Sequence, residues 1–155
     1  MDRRPKAVIL DIDEVICESW EPKYRQQFAE GNFAEFDSKI PTFPKIQWAS
    51  TLLNSLLLSG IKILFVTSRE EYRRGATKAW LENELTIFSH EYELFMRTEK
   101  DVRPSWEVKY RLLERFRPRY NILFAIDDEL DNAKMWNRVG IPSLHLLNEY
   151  NIKGY

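Results

Sequence analysis

The 155-residue sequence predicts an α/β fold, doubly wound around a mostly parallel, five-stranded sheet. Three observations carry that expectation. Short β-branched apolar runs alternate with longer segments of helical periodicity. The runs are apolar at consecutive positions, as strands covered on both faces require. Acidic or hydroxyl residues stand at their carboxyl ends, where such sheets bind ligands.

The first run, Ala7-Val8-Ile9-Leu10, lies within residues 6–13 and ends in Asp11-Ile12-Asp13. Residues 18–44 form an irregular excursion, interrupted by Pro22, Gly31, Pro41 and Pro44, expected to be partly helical and not a separate domain. From 44 to 59, Ile46, Ala49, Leu53, Leu56 and Leu57 recur at helical spacing, with Pro44 near the first turn and Gly60 at the stop. Residues 61–66 read as a second buried strand leading into Thr67-Ser68-Arg69. A helix over 73–84 is expected to bury Ala76 and Trp80, and a third strand follows at 92–96. Pro104 opens a helix to about residue 116, with Trp106, Tyr110 and Leu113 on its apolar stripe. The fourth strand, 121–126, ends in Asp127-Asp128. The helix after it carries Leu130, Ala133, Lys134 and Trp136 and closes at Gly140, and 141–147 supplies the fifth strand.

Composition excludes several classes. With 23 basic against 24 acidic residues, any nucleic-acid footprint must be local. A single cysteine, Cys17, permits neither an intrachain disulfide nor a cysteine-rich zinc site, and it is expected to be a small buried residue. Apolar runs such as 56–58 and 63–66 fall far short of the roughly 20 residues that span a bilayer, so no membrane partner is expected. The first residues lack a secretory signal, and the expected location is cytoplasmic. No GxxxxGK[ST] phosphate loop occurs, which removes 5′ phosphorylation by that device.

The chemistry sits at the strand ends. Asp11, Asp13, Asp127, Asp128 and the Thr67 hydroxyl would share one crevice. Carboxylates that close repel and raise one another's pKa unless a cation neutralises them. A hard, oxygen-ligated ion, Mg²⁺ above all, resolves the conflict. Taken singly, each aspartate reads as a helix cap or turn former, and their joint placement favours a site; Lys109 by itself reads as a solvated helix lysine.

The segment AVILDIDEVIC resembles the first motif of the haloacid dehalogenase-like (HAD) phosphohydrolases, ILFVTSR the second, Lys109 the third and FAIDDELDN the fourth. The stretch from Thr67 to Leu147, with FMRTEKDVRPSWEVKYRLL before AIDDELDNAKMWNRVGIPSLHLL, is similar to the 3′-phosphatase domain of phage-type polynucleotide kinase-phosphatases. The resemblance implies a three-layer Rossmann-like HAD fold, and the 54 positions from Asp13 to Thr67 leave room for minimal or no cap.

It also implies roles. Asp11 is the nucleophile and Asp13 the general acid and base, with the Asp13 backbone carbonyl turned to the metal. Asp11 and Asp128 hold Mg²⁺, with Asp127 behind them. Lys109 neutralises phosphate and nucleophile. Thr67, Ser68, Arg69, Arg97 and Arg103 contact substrate; Arg73 and Arg74 are further candidates, and Trp20 a candidate substrate wall. His90 and His145 are read as structural. Two departures stand out: Glu14 occupies a position where the family usually has glycine, and Ser68 replaces the glycine of the second motif.

The function the resemblance implies is a Mg²⁺-dependent phosphatase removing 3′-phosphates from nucleic-acid ends, beside a separate kinase or ligase. The competing readings are a phosphatase of nucleotides or small metabolites, and a catalytically impaired module that binds phosphorylated ends.

Overall fold

A computed structural model describes residues 1–153. Its strands are β1 (Lys6–Leu10), β2 (Lys62–Glu70), β3 (Tyr92–Arg97), β4 (Asn121–Asp127) and β5 (Ser143–His145). They form one sheet in the order β3-β2-β1-β4-β5, with every neighbouring pair parallel. The helices are α1 (Tyr24–Ala29), α2 (Ala34–Lys39), α3 (Ala49–Leu58), α4 (Arg74–Glu84), α5 (Ser105–Leu113), α6 (Leu130–Arg138) and α7 (Glu149–Lys153), with 3-10 turns at Ile40–Thr42 and Glu71–Arg73.

Consecutive apolar residues in β1 are explained by its two covered faces. Val8 and Leu10 pack with Leu53, Trp80 and Leu81 on one side. Ala7 and Ile9 pack with Val108, Leu112, Phe116 and Trp136 on the other. The excursion at 18–44 adds Tyr24, Phe36 and Phe43 to the first of these clusters. The chain winds outward from β1 to β3, then returns to place β4 on the other side of β1. That reversal lies between the ends of β1 and β4, the place where doubly wound sheets bind ligands.

The two glycine stops hold. Gly60, at φ 72°, donates to the Leu57 carbonyl while Ile61 donates to Leu56, and Gly140, at φ 85°, repeats the pattern with Asn137 and Trp136. Both satisfy orphaned helix-end carbonyls with a left-handed residue that glycine adopts at little cost.

Four expectations are corrected. The helix expected from Pro44 begins at Ala49, because Lys45 bridges Cys17 antiparallel, the Ile46 amide donates to Ile16, and the Pro44 carbonyl accepts from Glu18. Those extended pairings consume backbone groups that a helix would need. The fifth strand shrinks from 141–147 to Ser143–His145, since β4 offers partners only to Asp127. On α4, Ala76 is exposed and Thr77 takes the inward position, its hydroxyl accepting from Arg69 Nη1 at 3.2 Å. Trp106 and Tyr110 are exposed, and the buried stripe of α5 runs through Val108, Lys109, Leu112 and Leu113. Apolar periodicity misplaces that stripe because a lysine faces inward, toward carboxylates.

Candidate active site

Asp11 follows β1 directly, and its backbone still belongs to the sheet, donating to Ile126 at 3.1 Å. Its side chain is 8% exposed. One carboxylate oxygen accepts from the Ile12 amide at 2.8 Å, and the other meets Lys109 Nζ at 3.1 Å. The same ammonium reaches Asp127 Oδ2 at 2.7 Å. Lys109 thus bridges the ends of β1 and β4 from α5. Asp128 completes the group: carboxylate oxygens of Asp11, Asp127 and Asp128 lie within 4.8 Å of one another.

Charge does not balance within this group. Three carboxylates face one ammonium. Burial, reinforced by Asp127, Asp128 and Asp13, raises the Asp11 carboxyl well above its ordinary value even though Lys109 opposes the rise. Burial with the neighbouring Asp127 and Glu129 pushes Asp128 up to about 7. Burial alone would lower the Lys109 pKa, but Asp11 and Asp127 outweigh it and keep the ammonium charged. A divalent hard cation fits this donor set: oxygen ligands only, clustered, with negative charge left over.

Asp13 stands apart. The loop after β1 closes on itself through three amides, of Val15, Ile16 and Cys17, that all donate to the Ile12 carbonyl. It turns the Asp13 carboxylate toward Arg69, which grips it through Nη2 at 2.6 Å and Nε at 3.0 Å; the Ser19 hydroxyl donates at 2.6 Å. Against the effect of its partial burial, Arg69 and Ser19 hold the Asp13 carboxyl below its usual range. Its carboxylate is not part of the three-aspartate cluster.

Glu14 takes the conformation that glycine would, with φ 60°. The strain is offset locally: its Oε1 accepts from the Ser19 amide at 2.9 Å and the Trp20 amide at 2.7 Å. Glu14 therefore caps the segment entering the excursion. Trp20 packs edge-on against Tyr24 and Phe28, in an aromatic cluster and not as a free wall.

The substrate-contact candidates divide. Thr67, fully buried at the end of the regular part of β2, accepts the Arg69 amide at 3.1 Å, which leaves its hydroxyl hydrogen for another acceptor. Ser68 pairs with the Ser105 hydroxyl at 2.6 Å. Arg69 is 4% exposed and committed to Asp13, so it positions that residue and does not face solvent. Arg97 ties the rim together, donating to the carbonyls of Ser68, Asp101 and Arg103. Arg103 pairs with Asp101 at the surface. Arg73 is buried against Asp37 and the Phe33 and Tyr72 rings, and Arg74 pairs with Glu71. His145 has a structural contact: its Nε2 lies 2.9 Å from the Asp128 carbonyl, an acceptor only, so the ring donates. Cys17 is buried, as expected.

Two contacts beside the cluster had escaped the sequence. Asn132 Nδ2 donates to Asp127 Oδ1 at 2.9 Å and to Ser105 Oγ at 3.0 Å. Ser68, Ser105, Asn132, Asp127, Lys109 and Asp11 thereby form one polar chain across the ends of β2, β1 and β4. The available signal was positional: Asn132 lies in the first turn of α6, the turn that faces the end of β4.

Residues 5–149 match the family described as the polynucleotide kinase PNKP phosphatase domain. A protein of Autographa californica nuclear polyhedrosis virus, described as a bifunctional polynucleotide kinase/RNA ligase, is 24% identical over 145 residues, covering 92% of this chain and 19% of that protein. A chain of the Pnkp1/Rnl/Hen1 RNA repair complex superposes with a TM-score of 0.75 at 22% identity, over 92% of this chain and 42% of that one. The class C acid phosphatase from Bacillus anthracis, with tungstate bound, gives 0.68 at 14% identity, over 96% of this chain and 68% of that one. The chain thus spans about a fifth of the curated relative and less than half of the repair-complex chain.

Proposed function

The chain belongs to the family of polynucleotide kinase PNKP phosphatase domains, and from that premise we propose a Mg²⁺-dependent phosphomonoesterase that removes 3′-phosphates from nucleic-acid ends through an aspartyl-phosphate. The observation that carries the reading is Lys109, held between Asp11 and Asp127 where three carboxylates meet. A buried lysine spanning two strand ends is costly to build for packing alone. It suits a site that must accept a phosphate dianion beside a carboxylate nucleophile.

An Asp11 carboxylate oxygen attacks phosphorus in line. The Asp11–phosphorus bond forms as the bond to the 3′ oxygen breaks, and the departing alkoxide takes the proton of Asp13. Water then attacks phosphorus, Asp13 takes its proton, and inorganic phosphate leaves with Asp11 restored. The resting contact with Arg69 keeps Asp13 ionised, the form the second half needs. Asp13 enters the first half carrying a proton taken from solvent, because the incoming dianion raises its proton affinity by like-charge repulsion.

Lys109 offsets the repulsion between phosphate and Asp11, and the free Thr67 hydroxyl hydrogen is available to a phosphoryl oxygen. Asn132 and Asp127 are positioning residues for Lys109. Mg²⁺, held by Asp11 and Asp128 with the Asp13 backbone carbonyl and backed by Asp127, would supply the remaining positive charge at the phosphoryl group. The kinase and ligase steps of end repair belong to active sites other than this one.

The test is inorganic phosphate release from matched 3′- and 5′-phosphorylated oligonucleotides, with and without Mg²⁺, using wild-type protein and Asp11→Asn. Release from the 3′ substrate alone, dependent on Mg²⁺ and abolished in the variant, is expected. Wild-type turnover by Asp11→Asn refutes the nucleophile, and a preference for mononucleotides refutes the substrate.

A further inference from the structure

Strand β3 forms one outer edge of the sheet, and along it runs a cleft of about 510 Å³ away from the carboxylate cluster. Its walls come from both faces of the sheet. Arg74 and Lys78 belong to α4, Arg115 follows α5, Leu94 and Phe95 form the floor, and two carboxylates also line it, Glu71 paired with Arg74 and Glu93 paired with Arg119. Arg74 and Lys78 are one helical turn apart, about 6 Å along the axis.

Neither Lys78 nor Arg115 forms an ion pair among the described residues; Arg115 instead lies 5.5 Å above the Phe95 ring. Phe88, next to Ser89 in the cleft wall, is 65% exposed and stacked on His90. The upper end of β3 is Arg97, which holds the Ser68 carbonyl at the rim of the crevice. With both carboxylates paired, Lys78 and Arg115 are the two cations left over along the groove, and these with an exposed aromatic ring near its end are the ingredients of a single-strand track. An added protein strand fits less well, because Arg74 Nη1 already occupies the Leu94 carbonyl at 3.0 Å.

We propose that the β3 edge carries the body of the single-stranded nucleic acid whose 3′ end enters the crevice, with Lys78 and Arg115 contacting its phosphates. The inference rests on the substrate reading above and extends it: the enzyme grips the strand several nucleotides back from the end it repairs. It also explains how a chain with a net charge of −1 holds a polyanion. The footprint is local and lies at a sheet edge.

The experiment uses the full chain and its Lys78→Gln/Arg115→Gln variant. Fluorescence anisotropy measures binding of an oligonucleotide of about 12 nucleotides lacking any 3′-phosphate, a length within the range a single-strand groove covers. In the variant, affinity is expected to fall roughly tenfold and the slope of log affinity against log salt to shrink by about 1.4, two cations at about 0.7 each. Hydrolysis of an aryl phosphate stays at the wild-type rate, which shows that the variant is folded. Unchanged affinity and slope overturn the proposal, including the case in which the cleft receives an acidic protein segment instead. If the oligonucleotide binds through the cleft but its 3′-phosphorylated form is not hydrolysed, the track stands and the substrate assignment falls.

Discussion

Replacing Lys109 by methionine keeps the length and apolar stem of the side chain and removes only the charge that bridges Asp11 and Asp127. Lys109 is 1% exposed and its two partners are almost fully buried. Removing one member of such a buried group leaves uncompensated charge and typically costs about 3–5 kcal/mol. At about 2–4 °C per kcal/mol for a chain of this size, the melting temperature should fall by roughly 6–20 °C.

The loss should depend on pH in a definite direction. Asp11 is held above the ordinary carboxylate range and Asp128 at about 7, so the folded protein binds more protons than the unfolded chain between the ordinary carboxylate value and about 7. Their favourable contribution is present below that window and is lost as pH rises through it. Lys109 opposes the rise for both, so Lys109→Met enlarges the loss. In EDTA, urea unfolding should show the variant far weaker than wild type at pH 8 and closer to it at pH 5, with Mg²⁺ recovering part of the deficit. A deficit below about 1 kcal/mol, or one equal at both pH values, refutes a bridging role.

Arg69→Gln should lower kcat and move the limb of the rate profile that reports Asp13 to higher pH, because Arg69 is what holds that carboxyl low; an unmoved profile refutes the clamp. Glu14→Gly relieves a left-handed residue, worth about 1–2 kcal/mol, but deletes the acceptor for two amides. Urea titration should therefore show net destabilisation for Glu14→Gly and little change for Glu14→Gln, which retains the oxygen. Trp136→Ala should cost about 3–5 kcal/mol and Trp106→Ala less than about 1, since only the first is fully buried. Equal losses would restore the stripe that places Trp106 in the core.

The fold and the cluster were legible in the sequence for local reasons. Burial on both faces leaves a continuous apolar run such as Ala7-Val8-Ile9-Leu10, helix ends need Gly60 and Gly140, and strands paired in parallel put their terminal Asp11, Thr67 and Asp127-Asp128 at one end of the sheet. Element boundaries were less legible where a distant partner decides them. Lys45 and Ile46 are extended because Cys17 and Ile16 are there to pair with, and β5 stops where β4 does.

Arg69 illustrates the larger limit. Its position after Thr67 marks it as close to the site, but only the tertiary structure decides that it faces Asp13, 56 positions earlier, instead of solvent. Asn132 is similar, an ordinary helix residue until Asp127 and Ser105 close around it. Sequence by itself determined which chemical groups this protein owns and at which end of the sheet they gather, because periodicity and strand direction are properties of the chain. Which of those groups are already engaged with one another was decided by packing, because a hydrogen bond across the fold depends on where two separate segments come to rest.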